Sequence, residues 1–223
     1  MSEYRLPDSD MWYWADHASR RNTWHATALN RKVLEQLAPD AANLTVLDAG
    51  SGAGDNAIAF AADNRVREVW AIDAVPAVAD VMYARVADIG GPAEDKILFL
   101  PQALENIARG SLPRVNVVFA SAVLPYVHTD KLADVSAMLM DTVEEGGLFA
   151  ANFAAPDSIA NRIGSGPAIS AVSKELVEEW LRDFGFDGAI EEIGFNGDIA
   201  QSDEPVLMYQ VVARRRRLQG PKR

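Results

Sequence analysis

Cysteine is absent from the 223-residue chain. Its absence excludes disulfide bonds, thiolate metal sites and every mechanism that needs a cysteine nucleophile, including attack on C6 of cytosine. No apolar stretch reaches the ~18 residues that a membrane-spanning helix needs, and the first residues have neither the basic start nor the apolar run of a signal peptide. We therefore expect a soluble, cytoplasmic protein without a membrane partner.

Positive charge is scarce outside one segment. The formal net charge is −11, yet six of the 21 basic residues stand at or after position 214, with no acidic residue behind them. The rest of the surface is acidic and repels the phosphate backbone of nucleic acids, so nucleic acid is an unfavoured partner. We expect a small-molecule substrate and interpret residues 215–223 as a solvated basic tail, with binding to an acidic partner as the alternative.

From residue 44 onward, short β-rich runs alternate with helical patterns. The predicted strands cover 44–48, 66–73, 97–100, 115–120 and 148–153, and the predicted helices between them cover 55–62, 77–88 and 130–143. Strands that are apolar on both faces, in alternation with helices, are typical of a parallel sheet covered on both sides.

The pattern changes after this region. A helix predicted over 174–184 precedes two strands, over 189–195 and 206–213, joined by about ten residues that contain no helix. Such a connection is too short for a right-handed crossover, so the two strands should be antiparallel. The predicted fold class is α/β, a Rossmann-like, seven-stranded, mostly parallel sheet with helices on both faces and a C-terminal antiparallel hairpin.

Two helical segments precede the sheet. One covers 10–20, and the other is predicted to begin at a capping Asn22 and to end at Pro39. We assign residues 1–40 to a helical lid and 41–214 to the main domain. Four aromatic residues of this region either form a lid over a bound cation or pack the helices against the sheet: Trp12, Tyr13, Trp14 and Trp24.

The most informative motif follows the first predicted strand, in the segment VLDAGSGAGD. Gly50, Gly52 and Gly54 stand at alternate positions after Asp48, which lets the backbone turn tightly and approach a ligand closely. A dinucleotide fingerprint places its third glycine where this chain has Asp55, at a helix N-terminus that meets pyrophosphate. The loop therefore predicts a nucleotide-like ligand without a diphosphate.

Charge selects among such ligands. A carboxylate about 6 Å from a cation contributes about 3 kcal/mol at an effective dielectric near 20, attractive for a sulfonium and repulsive for a phosphate. Asp73 ends the next predicted strand, a position from which a carboxylate accepts hydrogen bonds from both ribose hydroxyls. Asp48, the three glycines and Asp73 thus favour S-adenosylmethionine as the cofactor, although Asp48 can also bind amides of its own loop.

The chain resembles class I S-adenosylmethionine-dependent methyltransferases from residue 44 to about residue 214. The likeness is carried by DAGSGAG after the first strand, by Asp73, by VVFASAVLPYV, by the GGLF that enters the fifth strand, and by the closing hairpin. Within the superfamily, SAVLP and GGLFAANF are similar to small-molecule methyltransferases of the tellurite-resistance type.

The resemblance implies that Gly50 and Gly52 line the methionine part of the cofactor and that Asp73 holds its ribose. It assigns the remaining contacts to residues after the third and fourth strands: Gln102 and Ala103 at the adenine, and Ala120 and Ser121 beside the sulfonium. Many members have an acid where Gln102 stands, but a carboxamide oxygen also accepts a hydrogen bond from the adenine amino group.

Methyl transfer is an in-line displacement that depends on alignment, and it needs a base only when the acceptor holds its proton. His128 follows the fourth strand and either serves as that base or caps the helix predicted to begin near Thr129. Tyr126 either lines the acceptor pocket or packs under that helix. His17 and His25 lie on the leading helices, where a surface role is expected.

Several functions are disfavoured by missing motifs. After the fourth strand, where enzymes that methylate base amines carry Asn/Asp-Pro-Pro-Tyr/Phe, this chain reads SAVLPY. The predicted function is S-adenosylmethionine-dependent methylation of a small molecule at oxygen, nitrogen or another nucleophile, with no bound metal. One alternative is a scaffold of the same fold without catalysis; another is a nicotinamide-dependent reductase, which Asp55 and the glycine spacing oppose.

Overall fold

A computed structural model describes residues 7–20, 27–90, 93–157, 169–195 and 206–217. In these ranges seven strands form one sheet: β1 Leu44–Ala49, β2 Val66–Asp73, β3 Ile97–Pro101, β4 Val115–Ala120, β5 Val143–Ala154, β6 Phe186–Phe195 and β7 Val206–Arg215. The described helices are α1 Asp8–Arg20, α2 Ala28–Gln36, α3 Asp55–Ala62, α4 Val78–Ile89, α5 Leu132–Thr142 and α6 Lys174–Asp183.

The strands follow the order β3-β2-β1-β4-β5-β7-β6. The first five strands of the chain pair in parallel, whereas β7 is antiparallel to both β5 and β6, which confirms the predicted mixed sheet and its closing hairpin. The chain reverses its direction of travel across the sheet between β1 and β4. A crevice for a ligand therefore opens beyond the carboxyl ends of these two strands.

Helices cover both faces of the sheet, as predicted. Adjacent residues of β1 point to opposite sides and are fully buried: Val46 belongs to the core cluster that includes residues of α2, α3 and α4, and Leu47 to the cluster that includes residues of α5 and α6. Burial of one such side chain contributes about 1.5–3 kcal/mol, so double-sided strands anchor the sheet strongly. Among the described residues, no helix combines the length and the apolar character needed to cross a bilayer.

The second leading helix begins later than its sequence pattern predicts. It starts at Ala28, with Thr27 as its N-cap, and the predicted cap Asn22 lies outside the described residues. The Thr27 hydroxyl accepts from the Asn30 amide at 3.2 Å and donates to Asn56 Oδ1 at 3.0 Å, so a tertiary contact with α3 fixes this helix start.

The two helices of the predicted lid differ in their packing. Helix α2 buries Leu29 and Val33 against the sheet and so joins the body of the molecule. Helix α1 contacts α4 and lies against the loops that follow β1 and β2. Within residues 1–40, the part of the chain that is described at the crevice is therefore α1.

The basic segment is attached to the fold as far as it is described. Arg214 lies within β7 and donates to the Gly146 carbonyl at 2.7 Å, and Arg215 donates to the Val143 carbonyl at 2.6 Å. Arg216 donates to the Gly185 carbonyl at 3.3 Å. These contacts place arginine side chains at helix and strand ends, where cations interact favourably with carbonyl groups.

Candidate functional site

The glycine loop connects β1 to α3 at the crevice. Gly50, Gly52 and Gly54 have φ values of +70°, +51° and +86°. A Cβ on Gly50 would lie 2.3 Å from Val123 Cγ2 and one on Gly54 would lie 2.3 Å from Met82 Cγ, whereas no described atom lies within 4 Å of the same position on Gly52. Two glycines thus allow close packing of the loop, and Gly52 leaves open space beside it.

Asp73 joins the loops that follow β1 and β2. Its Oδ2 accepts a hydrogen bond from the Gly52 amide and its Oδ1 accepts one from the Val75 amide, each at 2.9 Å. Burial raises the pKa of Asp73, and these amide hydrogen bonds act in the opposite direction. Because a carboxylate oxygen has two lone pairs, Asp73 can still accept hydrogen bonds from a ligand.

Asp48 is buried beneath the same loop, with an exposed fraction of 1%. Its Oδ2 has no hydrogen-bond partner among the described residues. Burial and, second to it, the nearby charge of Asp73 raise the pKa of Asp48 to about 8, against the effect of a hydrogen bond from the Ala57 amide. A cation placed here would favour the ionised form of Asp48, whereas burial without a cation favours the protonated form.

Asp55 has a different environment from the one assumed in the charge argument. Its Oδ1 lies 2.8 Å from Arg85 Nη1, which also donates to the Ala53 carbonyl at 3.1 Å. The charge on Asp55 is compensated, so negative charge at the loop comes from Asp73, and from Asp48 when a nearby cation favours its ionised form. Sequence reasoning missed Arg85, although its position on the face of α4 that buries Met82 is unusual for a charged residue.

The predicted adenine contacts lie beside Asp73. The backbone amide of Gln102 donates to the backbone carbonyl of Asp73 at 2.9 Å. The side-chain Nε2 of Gln102 donates to the Asn106 carbonyl at 3.2 Å. The bond to Asn106 directs the side-chain nitrogen of Gln102 to the protein, so the side-chain oxygen is the acceptor for the predicted adenine contact. Ala103 is buried next to it.

The end of β4 is fixed by a residue that the sequence analysis missed. Asn152 on β5 has an exposed fraction of 2%, and its Oδ1 accepts from Ser121 Oγ and from the Ala122 amide, both at 3.3 Å. Ala122 has a φ of +55°, which is uncommon for a residue with a Cβ. The signal was an asparagine within the apolar run LFAANFAA. Ala120, fully buried, and Ser121 therefore end the strand in one fixed conformation.

The aromatic residues of α1 divide into two groups. The centroid of the Trp14 ring lies 4.6 Å from that of Tyr126 in an edge-to-face arrangement, and Trp14 also packs against the cluster of Ala53, Val75 and Val78. Tyr13 contacts Trp14 at 5.0 Å, whereas Trp12 is 77% exposed. Helix α1 thus bridges the loops after β1 and β4.

Tyr126 has a second set of contacts, with the cluster of buried Val206 and Met208. It therefore packs against the end of β7 and also contacts Trp14 of α1. Trp24 and His25 lie outside the described residues, and so does the side chain of His17.

His128 lies on the surface of the loop between β4 and α5. Its Nδ1 is hydrogen-bonded to Asp130 Oδ1, and its backbone amide donates to Glu105 Oε1 at 3.3 Å. The contact with His128 lowers the pKa of Asp130. Helix α5 begins at Leu132, with Lys131 at its N-cap, so the capping alternative for the His128 side chain is wrong.

No protein-family model and no curated protein matches the chain. Solved structures do match it. A protein of Listeria monocytogenes assigned as an S-adenosylmethionine-dependent methyltransferase is 19% identical, with a TM-score of 0.62 over 85% of this chain and 99% of that one. The magnesium protoporphyrin IX methyltransferase of Synechocystis PCC 6803, solved with bound cofactor, is 14% identical, with a TM-score of 0.61 over 96% and 86%.

Methyltransferases are not the sole proteins with this architecture. The [4+2]-cyclase SpnF is 14% identical, with a TM-score of 0.66 over 97% of this chain and 98% of that one. The likeness in all three cases is one of fold. Its strand order, mostly parallel sheet and antiparallel closing pair give this chain the fold of the class I S-adenosylmethionine-dependent methyltransferases.

Proposed function

We propose that the protein transfers the methyl group of S-adenosylmethionine to a nucleophilic atom of a small molecule. The observation that carries the proposal is the glycine loop, which has open space at Gly52 and follows a buried acid, Asp48, whose Oδ2 has no hydrogen-bond partner among the described residues. A cationic ligand with a ribose suits this donor and acceptor set, since Asp73 supplies acceptors and Asp48 a negative charge. The solved cofactor complex of the same fold supports this choice.

Each residue has a distinct task in this proposal. Asp73 accepts hydrogen bonds from the ribose hydroxyls while it holds the Gly52 amide, and the ionised Asp48 stabilises positive charge near the loop. Gln102 presents its carboxamide oxygen to the adenine edge. The bound cofactor supplies an electrophilic methyl group, and the residues around it supply alignment, which contributes roughly 7–11 kcal/mol to lowering such barriers.

The acceptor side of the proposed site is formed by the end of β4 and by α1. Asn152 fixes Ser121, and the contact between Trp14 and Tyr126 covers the crevice, which excludes water from the reacting groups. We assign His128 as the base for acceptors that hold a proton, because Asp130 orients its ring through Nδ1 and leaves Nε2 as the proton acceptor.

Calorimetric titration with S-adenosylmethionine and with NAD⁺ tests the cofactor. We expect micromolar binding of the former and none of the latter. Turnover is then tested by screening small hydroxyl and amine compounds for formation of S-adenosylhomocysteine. Binding of NAD⁺ in preference to S-adenosylmethionine would exclude the methyltransferase and favour the reductase.

A scaffold of the same fold is the second candidate, because the match to SpnF shows that this architecture occurs in proteins named for other activities. It differs from the enzyme in one measurable respect. The scaffold binds S-adenosylmethionine with the same affinity but forms no S-adenosylhomocysteine with any acceptor of a broad panel, and His128→Ala then changes nothing. In the enzyme, His128→Ala lowers kcat for a protonated acceptor and leaves the cofactor Kd unchanged.

A further inference from the structure

A second cavity lies at the end of the sheet opposite the glycine loop, where β5 and β6 begin and β7 ends. It has a volume of about 290 Å³ and is lined by Gly146, Asp187, Arg214, Arg215, Arg216 and Arg217. On β5, Leu148 pairs with Arg214 near this cavity, and Ala154 pairs with Met208 near the crevice. Six residues of strand separate the two levels by about 20 Å, so the cavity is distinct from the proposed cofactor site.

The lining of this cavity is strongly basic although the chain carries a net charge of −11. The residues that line the cavity include four arginines and one acid, Asp187, whose Oδ2 lies 3.8 Å from Arg216 Nε. Asp141 lies 3.8 Å from Arg215 behind the lining. Even with both acids counted, the positive charge exceeds the negative charge in a small volume, which favours an anionic ligand.

Backbone carbonyl groups hold the side chains of Arg214 and Arg216 in place. Arg214 donates to the Gly146 and Gln36 carbonyls at 2.7 and 2.8 Å, and Arg216 donates to the Gly185 carbonyl at 3.3 Å. Arg217 lies over Gly146, where an added Cβ would be 2.8 Å from its Nε. A guanidinium has five N–H donors, so each fixed arginine retains donors for a ligand. Fixed donors lose less conformational entropy on binding.

We infer that this cavity binds a small anion with adjacent negative charges, of the phosphate or diphosphate class. Planar guanidinium groups match the oxygen geometry of phosphates and form paired hydrogen bonds with them. The volume suits one or two phosphate groups, since ligand pockets for larger molecules begin near about 300 Å³. A long polyanion such as RNA would extend beyond the cavity onto an acidic surface that repels it.

Calorimetric titration with inorganic pyrophosphate in 0.15 M NaCl tests the inference on the full chain. We expect a Kd below about 1 mM, weakened at least about five-fold by Arg217→Gln, which removes one charge-assisted contact. Asp187→Asn should strengthen binding about three-fold, because it removes a repelling charge from the lining. Arg67→Gln is the matched control: it removes an exposed arginine on β2, several strands away, and should leave the Kd unchanged.

Several outcomes would overturn the inference. One is that pyrophosphate does not bind the wild-type chain. Another is that it binds the wild type, Arg217→Gln and Asp187→Asn with equal affinity. A single-stranded RNA that binds more tightly than pyrophosphate and is affected equally by Arg67→Gln would indicate a diffuse nucleic-acid surface instead. Circular dichroism of each variant establishes that it is folded. The result is independent of the S-adenosylmethionine titration, because the two cavities lie at opposite ends of the strands.

Discussion

Asp48 couples the stability of the fold to pH. Burial and the neighbouring Asp73 raise its pKa from 3.8 to about 8, so between these values the folded chain retains a proton that the unfolded chain has released. Stability therefore falls as the pH rises through this window, at up to about 1.4 kcal/mol per pH unit for one group. A buried carboxyl that weakens the protein at neutral pH is expected where a function requires it.

Replacement of Asp48 by Asn should remove this pH dependence. We expect the free energy of unfolding of Asp48→Asn to exceed that of the wild type by more at pH 8 than at pH 5, with a change of at least about 1 kcal/mol. Urea denaturation at both pH values measures it. Asp80→Asn, an exposed acid on α4, is the control and should follow the wild-type profile. Parallel profiles for Asp48→Asn and wild type would contradict the assigned environment.

Gly52 allows ligand contact to be separated from backbone strain. An added Cβ meets no described atom, so Gly52→Ala should cost only the roughly 1–2 kcal/mol of a positive φ while it fills ligand space. We expect cofactor affinity to fall at least about ten-fold, equivalent to about 1.4 kcal/mol. Gly110→Ala, at a φ of +82° with similarly open surroundings, carries the same strain and should bind normally. Equal losses in both variants would refute the ligand role of Gly52.

At the level of single residues, sequence reasoning located the loop but not its electrostatics. The spacing of Gly50, Gly52 and Gly54 indicated a turn, yet only the fold reveals that Gly50 and Gly54 face side chains from distant segments. Asp55 counted as an acid facing the ligand because its partner Arg85 is 30 residues away in sequence. Pairings of this kind depend on tertiary packing, which local pattern does not encode.

Helix α1 offers a test of the lid with two tryptophans two positions apart. Trp14 contacts Tyr126 and packs against the cluster that contains Ala53, whereas Trp12 faces solvent. Trp14→Ala should lower stability by about 1–2 kcal/mol through loss of an aromatic pair and partial burial, and it should weaken cofactor binding. Trp12→Ala should change stability by less than about 0.5 kcal/mol.

Thermal unfolding together with calorimetric Kd values distinguishes these effects. A Trp14→Ala variant with wild-type cofactor affinity would limit α1 to packing. A Trp12→Ala variant as damaged as Trp14→Ala would contradict the orientation of the helix.

Most elements were predictable because their patterns are local. The strands and helices from β1 to α6 begin and end within a few residues of the predicted positions, since apolar periodicity and glycine or proline boundaries define them. Strand β5 is longer than predicted and starts at Val143, directly after α5. The basic side chains that bind carbonyl groups at helix ends were not predictable, because they come from distant segments. Arg65 donates to the Leu34 and Leu37 carbonyls at the end of α2, and Lys96 donates to the Ala61 carbonyl at the end of α3.

At the scale of the whole molecule, the acidic surface should distinguish ligands by charge. The net charge of −11 should attract the proposed sulfonium cofactor, and added salt should screen this attraction. We expect the Kd of S-adenosylmethionine to weaken about two- to three-fold between 0.02 and 0.5 M NaCl. S-adenosylhomocysteine lacks the sulfonium charge and is the control, whose Kd should stay nearly constant. The same salt dependence for both ligands would argue against an electrostatic role of the acids.

The position of β7 in the sheet has a consequence for synthesis of the chain on the ribosome. Strand β6 is made before β7, yet β7 is the strand with which it pairs, and β7 in turn occupies the edge of β5. Until Val206 and the residues after it have emerged, the nascent chain presents the long apolar edge of β5 without a neighbour, and β6 has no place to dock. The nascent chain is therefore most prone to aggregation late in translation, and this is the stage at which binding by a chaperone matters most.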